Sequence, residues 1–413
     1  MLTQFKIDNF KSLVDFSLPE GDESLTNFVC LIGLNGSGKS TVLQAIDFVA
    51  HLAVGDIGKW LTHRGWEKSE LLSKGTKKRN INFSMRFTEE ALGELVWTGS
   101  YNNQQGRCTR EELAYTPPSS DVSGVLPSAS VTYTFESGVL KEASGPDGAG
   151  WKREILTDFS GSVFNKVRLP TSGSDPLNKR VITLLRYFLQ GVKSLELLSP
   201  QSMRKSSKGA VDVGAGGETL AAFIHGLPAA EKKEFFTELS KFYPRLERAA
   251  SRSGKYGWKR FFVSEKYDSS VDLDARHVND GLLRVAAIIA QTVATDSRED
   301  DGNPDQKEYQ FVLLDEIENG MNPEVVERLM KYLLGVRQQV FVTTHSPLIL
   351  NYLPDDVARA SVFLVYRRAD GASRAQRFFE IQEVADRLEM MGPGEAFLDV
   401  RLERLSTKLS RVQ

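Results

Sequence analysis

Three short runs in this chain are apolar at nearly every position: FVCLIGL (28–34), FVLL ahead of DE (311–316) and VFVTT (340–344). A strand buried on both faces requires such a run, because both sides of its pleat then meet the core. Other stretches alternate. INFSMRF (81–87) and VTYTF (131–135) place apolar residues at every second position, with turn-rich segments between, and predict antiparallel strands across 80–140. Phe5, Ile7 and Phe10 suggest the edge of a sheet, so the first forty residues read as two strands and a turn, with a helix starting at about Lys39. Helical spacing dominates 180–250, where Phe235, Leu239, Phe242 and Leu246 share a face that Pro244 should end or kink. A helix from about Pro323 separates the runs at 311–316 and 340–344, a strand–helix–strand unit that implies parallel pairing. FLVYRR (363–368), an Asp370-Gly371 turn and AQRFFEI (375–381) read as a hairpin followed by a closing helix. The Gly-, Ser- and Ala-rich stretch from Ser137 to Gly150 reads as a loop, as does the acidic DSREDDGNPD (296–305).

Composition narrows the class. The 413 residues allow two or three domains, with 41% hydrophobic and 26% charged residues, as in an ordinary globular protein. A formal net charge of −2 gives no global signal for nucleic acid, so any basic surface must be local. Cys30 and Cys108 stand far apart in no CxxC pattern, which argues against a disulfide framework or zinc site and fits a reducing compartment. The start, MLTQFKIDNFKS, lacks the apolar core of a secretory signal, and the apolar stretch Leu282–Ala294 is interrupted by Arg284 and Gln291. A soluble, cytoplasmic protein is expected, with no membrane partner.

Chemistry concentrates in three motifs. GLNGSGKST (33–41) fits the phosphate-loop pattern in full and lies between a buried strand and a helix, the context that pattern needs. Its glycines, with Asn35, Ser37 and Thr41, let backbone N–H groups turn inward around phosphate oxygens, and the helix N-terminus adds positive potential. Lys39 should reach the β- and γ-phosphates of ATP, and Ser40 should ligate Mg²⁺. In FVLLDEIENG (311–320), Asp315 is placed to hold Mg²⁺ and Glu316 to orient or deprotonate the attacking water. An exposed carboxylate pair is the bland alternative, weakened by the phosphate loop in the same chain. In VFVTTHSP (340–347), His345 follows a buried strand and could hydrogen-bond a γ-phosphate.

Together these motifs resemble the ABC-type ATPases of the RecF/SMC/OLD branch, especially the bacterial group called AAA ATPase 21. FKIDNFKS (5–12) is typical of that branch, HVNDGLLR (277–284) resembles its signature segment, and DEIENGMNP (315–323) its extended acidic motif and following loop. SPQSMR (199–204) and GGETLAAFI (216–224) also look like group patterns. The resemblance implies an α/β fold: an ABC-type P-loop ATPase head with a mixed or parallel sheet, an antiparallel β subdomain and a helical insertion. Residues 1–50 and 270–413 would be the halves of the core, and 51–269 the β subdomain and insertion. It also implies a head-to-tail dimer, in which Gly33, Gly36, Gly38 and Lys39 of one subunit and Asn279, Asp280, Gly281 and Arg284 of the other enclose one ATP. Two positions depart from the family. Asn279 stands where Ser is usual, and Asn322 where many relatives have His. Gln201 is a candidate for the Q-loop glutamine of such proteins, with an ordinary surface Gln as the alternative.

The remaining signals bear on partners. Basic clusters occur at KKR (77–79), RKSSK (204–208) and RSGKYGWKRFF (252–262). The last interleaves Tyr256, Trp258 and Phe261 with cations, as nucleic-acid surfaces do, but a solvated strand face is the preferred reading. VDLDAR (271–276) holds an Asp-x-Asp, but ahead of the signature rather than after His345, where relatives with a TOPRIM nuclease domain carry theirs. The arrangement looks most like the ATPase subunit of the PARIS anti-phage system. That likeness implies a homo-oligomer holding a separately encoded TOPRIM-type nuclease and releasing it on sensing a phage protein. A RecF-like repair ATPase acting on DNA and a transporter nucleotide-binding subunit are the alternatives.

Overall fold

A computed structural model describes residues 1–90, 92–118, 130–144, 152–154, 158–166, 177–197, 200–210, 212–267, 269–294 and 311–412. In chain order, the strands and helices begin with β1 (Leu2–Asp8), β2 (Phe16–Leu18), β3 (Phe28–Ile32), α1 (Lys39–Val54) and α2 (Ile57–Arg64). There follow β4 (Asn80–Glu89), β5 (Gly93–Asn102), β6 (Arg107–Thr116), β7 (Val131–Glu136), β8 (Val139–Ser144), β9 (Lys152–Glu154) and α3 (Leu177–Gln190). Then come β10 (Val192–Leu195), α4 (Pro200–Met203), α5 (Leu220–Gly226), α6 (Ala229–Phe242), β11 (Leu246–Ser253), β12 (Lys259–Lys266), β13 (Ser270–Asp274) and α7 (Asp280–Val293). The rest is β14 (Phe311–Leu314), α8 (Pro323–Gly335), β15 (Gln339–Thr343), α9 (Pro347–Asn351), α10 (Asp355–Ser361), β16 (Val362–Arg367), β17 (Ser373–Arg377), α11 (Gln382–Leu388), α12 (Pro393–Asp399) and α13 (Leu402–Val412). The chain is α/β, and it divides into two compact units.

The first unit holds Met1–Val192, Arg359–Asp386 and Val400–Gln413. Among its described residues, β2-β1-β4-β5-β6-β7-β8-β9 form one antiparallel sheet. The alternation at 81–87 and 131–135 produces this, because the apolar half of each strand faces the core. Three sequence readings change. The first forty residues contain three strands; β1 lies between β2 and β4 rather than at the edge; and 139–144, expected as loop, pairs with β7 as β8. Short apolar–polar alternation does not say which strand is outermost, and β8 is too polar to announce itself. Residues 145–150, the rest of that expected loop, lie outside the described residues, as does 296–305. Beside this sheet, β3 pairs parallel with β16, and β16 antiparallel with β17, so the expected tail hairpin forms. Phe48 of α1 packs against Phe10, Trp60 and Tyr101, with ring centroids 5.2 to 5.7 Å apart.

A buried carboxyl sits within the antiparallel sheet. Glu111 of β6 accepts hydrogen bonds from the Trp97 indole (3.1 Å), the Ser162 hydroxyl (2.5 Å) and the Val163 N–H (2.6 Å). Burial pushes its pKa up from 4.5 to about 7, while those three donors pull the other way. The folded state therefore binds this proton more tightly than the unfolded chain. Its stability contribution is whole below pH 4.5 and is lost as pH rises through about 7. The thermal stability of the wild type relative to Glu111→Gln should fall across that window by up to about 3 kcal/mol. A difference between the two proteins that does not change with pH would exclude this titration.

The second unit holds Lys193–Ala358 and Arg387–Asp399. Here β14 and β15 pair in parallel, joined by α8, as the strand–helix–strand pattern predicts. Both strands are fully buried, which their unbroken apolar sequences require. Asn322 caps α8 by accepting from the Val325 N–H at 2.9 Å, with Pro323 in the first turn. That is a structural use for Asn322. In the stretch expected to be helical, α6 buries Phe235, Leu239 and Phe242 and stops before Pro244, but Leu246 belongs to β11. β11, β12 and β13 form a separate antiparallel sheet among the described residues.

Candidate nucleotide site

Residues 33–41 join β3 to α1 in the first unit. Gly38 precedes α1 at φ 112°, and no side chain caps the helix start, the end whose dipole favours an anion. Two glycines leave no room for a side chain. A Cβ on Gly33 would stand 2.2 Å from the Val365 carbonyl oxygen, and one on Gly38 would stand 2.5 Å from Ser373 Oγ. Both contacts come from the β16–β17 hairpin, which braces the loop. The Ser373 hydroxyl donates to the Ser37 carbonyl (2.7 Å) and lies 3.0 Å from Ser12 Oγ; Arg367 Nε donates to the Gly36 carbonyl (2.9 Å). Lys39, 5% exposed, donates from Nζ to the carbonyls of Gly33 (3.0 Å) and Leu34 (3.1 Å). Ser37 Oγ is buried with no hydrogen-bond partner among the described residues. Asn35 and Gly36 are exposed, and Ser40 and Thr41 are half-buried on the first turn of α1. A braced backbone cradle, an uncapped helix start, an orphaned hydroxyl and an ammonium folded onto loop carbonyls together fit a polyphosphate.

In the second unit, β14 runs into Asp315 and Glu316. Thr343, fully buried at the end of β15, ties the two acids together. Its hydroxyl donates to Asp315 Oδ1 at 2.5 Å and accepts from the Glu316 N–H at 2.8 Å. Glu316 is held at φ 49°, a left-handed conformation that costs a side-chain-bearing residue roughly 1 kcal/mol or more. Asn319 Nδ2 donates to Glu316 Oε2 (3.3 Å), and the His345 N–H donates to Glu318 Oε1 (2.8 Å). The exposed His345 is thus fastened to the turn that follows the acid pair.

The signature segment lies in the same unit. Asn279 caps α7, its Oδ1 accepting from the Leu282 N–H at 2.8 Å, which leaves the side-chain NH₂ as a donor at an exposed position. Asp280 is also exposed and is held by Arg204, whose Nη2 lies 2.5 Å from Oδ1 and 2.9 Å from the Val278 carbonyl. Gly281 is buried, and a Cβ there would stand 3.1 Å from the Gly320 carbonyl. Arg284 is placed differently, being only 4% exposed. Its Nε lies 3.4 Å from where a Cβ on Gly320 would stand. Burial lowers its pKa from the ordinary value, and the nearby carboxylates of Asp280 and Glu316 oppose that shift. Asp280, Arg284 and Gly320 therefore lie together.

Two family models match the chain. One, described as "AAA domain, putative AbiEii toxin, Type IV TA system", matches residues 171–351; the other, "AAA ATPase domain", matches residues 1–89. These matches support an ATPase. They span the phosphate loop, the signature segment, the acid pair and His345. No curated protein matches the sequence. Solved structures similar to it include an SMC head bound to the C-winged helix domain of ScpA, at 15% identity over 91% of this chain and 96% of that one, with a TM-score of 0.48. They also include an SMC head from Thermotoga maritima (12% identity, 91% and 97% coverage, TM-score 0.44) and one from Pyrococcus furiosus (12%, 94% and 99%, 0.45).

For an ATPase, the residues that sequence reasoning missed are supports rather than contacts. Ser12, Arg367 and Ser373 come from opposite ends of the chain to brace the phosphate loop, and Thr343 locks the acids. Ser12 is the last residue of FKIDNFKS, and its carbonyl accepts from the Ser373 N–H at 2.9 Å, a physical use for that segment. Gln201 is exposed on α4. Asp272 and Asp274 pair with Arg252 and Arg276, and no group of three metal-ligating side chains occurs among the described residues. Nor is any helix among them long and apolar enough to cross a membrane.

Proposed function

We propose that the chain is an ABC-type ATPase whose sites are completed by a second copy, and that its nucleotide state governs the holding and release of a separate effector nuclease in anti-phage defence. The observation that carries the ATPase reading is the phosphate loop, with its braced glycine backbone, its uncapped helix start and Lys39 Nζ on its carbonyls. Lys39 would bind the β- and γ-phosphates, with the loop N–H groups around them. Ser40 and Asp315 are the residues that would hold Mg²⁺, which neutralises phosphate charge and polarises the phosphoryl group when bound. Glu316 is the base or orienting group for water, and His345 a hydrogen-bond donor to the γ-phosphate. Residues 1–50 and 270–413 supply this machinery, and 51–269 the surfaces for other tasks.

The second copy would supply Asn279, Asp280 and Gly281. They are at the start of a long, buried helix, with exposed polar groups and a favourable dipole. Arg284, buried next to Gly320 in the loop that follows the acid pair, then acts as the link between signature segment and acid pair in its own subunit. The nuclease partner rests on likeness to the PARIS ATPase subunit and on motifs that account for ATP chemistry alone.

Two experiments test this. Mixing Lys39→Ala with Asn279→Ala protein should restore part of the ATPase activity, because a mixed dimer has one site with both lesions and one with neither. No recovery, or full activity in a protein held monomeric, would remove the shared site. Purification from the native operon should yield a bound protein that carries all metal-dependent nuclease activity. Isolation without any partner, together with tight DNA binding, would favour the RecF-like repair reading instead.

A further inference from the structure

Two basic clusters lie about fifty residues apart in sequence, and the fold joins them. Ser207, inside RKSSK (204–208), pairs with Lys259, inside RSGKYGWKRFF (252–262), through two backbone hydrogen bonds of 2.9 and 3.1 Å. Lys208 Nζ stands 4.9 Å from the Trp258 ring centroid. Both clusters therefore meet at the tip of the β11–β12 hairpin.

The sheet behind the tip is the solvated face expected from sequence. Arg252 pairs with Asp272 at 2.6 Å, and Arg260 lies 4.0 Å from Asp274. The tip is different. Lys208 and Lys255 have no carboxylate partner among the described residues. Tyr256 is 88% exposed and Trp258 43% exposed. Tyr256 takes a left-handed φ of 57°, ahead of Gly257 at 79°. Glycine or asparagine would make that turn without strain, so a solvated turn does not need a tyrosine there.

We infer that this hairpin tip is a binding site for single-stranded nucleic acid, with Tyr256 and Trp258 stacking on bases and Lys208 and Lys255 meeting phosphates. Exposed rings interleaved with lysines match a strand whose bases are unpaired and whose backbone is anionic. In a duplex the base faces are already stacked, which leaves the rings nothing to cover. An acidic protein would match the lysines but not the rings. The site does not involve residues 33–41, 315, 316 or 345, so it stands apart from the nucleotide reading.

The test is fluorescence anisotropy of the full chain with a labelled oligothymidylate of about 16 nucleotides, a length that spans such sites. The wild type should bind with an affinity that falls with salt. Tyr256→Ala should weaken binding by about 5- to 150-fold, the range for losing one stacked base, and Tyr256→Phe should restore it. Lys208→Gln and Lys255→Gln should each lower the salt slope by about 0.7. Circular dichroism matching the wild type would show that the exposed substitutions leave the fold intact. No binding of the single strand, or unchanged binding by Tyr256→Ala, would overturn the site. Equal binding of a blunt duplex regardless of Tyr256, or displacement of the oligonucleotide by polyglutamate at equal charge, would overturn it in favour of backbone-only contact or an acidic protein.

Discussion

Lys39→Ala is expected to abolish ATP turnover, lowering it at least about a hundredfold to a thousandfold, the scale for removing one preorganised charge-stabilising donor. Lys39 Nζ lies on the Gly33 and Leu34 carbonyls, within the loop that would wrap the phosphates. Its removal deletes the cation that would meet the β- and γ-oxygens. The loop itself should persist, because Ser373, Ser12 and Arg367 brace it independently. The losses include two hydrogen bonds to carbonyls, each with a net value of about 1 kcal/mol. The substitution should therefore leave the thermal midpoint without nucleotide close to that of the wild type. The two proteins should separate when ATP and Mg²⁺ are added. A ligand that binds only the folded state raises its stability, so the wild-type midpoint should climb and that of Lys39→Ala should not. Wild-type turnover by the variant would refute the assignment. A collapsed midpoint without nucleotide would mean that Lys39 supports the fold rather than the ligand.

The parts of this molecule visible in sequence were those with a strict local requirement. A strand buried on both faces must be apolar throughout, so β3, β14 and β15 stood out at once. The phosphate loop was visible because glycine is needed where a backbone turns against a neighbour, as at Gly33 and Gly38. Features that depend on distant partners were hidden. Nothing near Ser373 says that it will reach Ser37 and Ser12, because the contact is made by the pairing of β16 with β3. Asn279 and Asn322 looked like departures from a family pattern, and local geometry explains them: each is the side-chain cap of the helix it precedes. The motif implies that Arg284 helps enclose the ATP of a second copy, whereas its burial in α7 is a property of packing that the motif does not show. Convergence of the basic clusters depends on a strand pairing across fifty residues, which charge patterning cannot reveal.

Glu316→Gln should separate binding from hydrolysis. The amide has nearly the shape of the carboxylate and keeps an oxygen to accept from Asn319 Nδ2. The backbone restraint is unchanged, since the Thr343 hydroxyl accepts from the main-chain N–H of residue 316 and not from its side chain. Asp315 keeps its own bond from Thr343, so the expected Mg²⁺ ligand is undisturbed. The change removes a group able to take a proton from water, an effect of about a hundredfold to ten-thousandfold on the chemical step. ATP affinity should stay near that of the wild type, while turnover nearly stops. If ATP bridges two copies and hydrolysis parts them, the variant should accumulate as an ATP-dependent dimer, seen by light scattering, that dissociates when nucleotide is removed. Arg284 makes the result more informative. The Glu316 carboxylate favours the charged form of the buried Arg284, and Glu316→Gln removes that support. A variant that loses ATP-dependent association as well as turnover would therefore place Glu316 in the link to the signature segment. A variant that turns over ATP normally would show that Glu316 is not the base. The dimer that persists with ATP and does not hydrolyse it is the outcome that assigns the proton-accepting role to Glu316 alone.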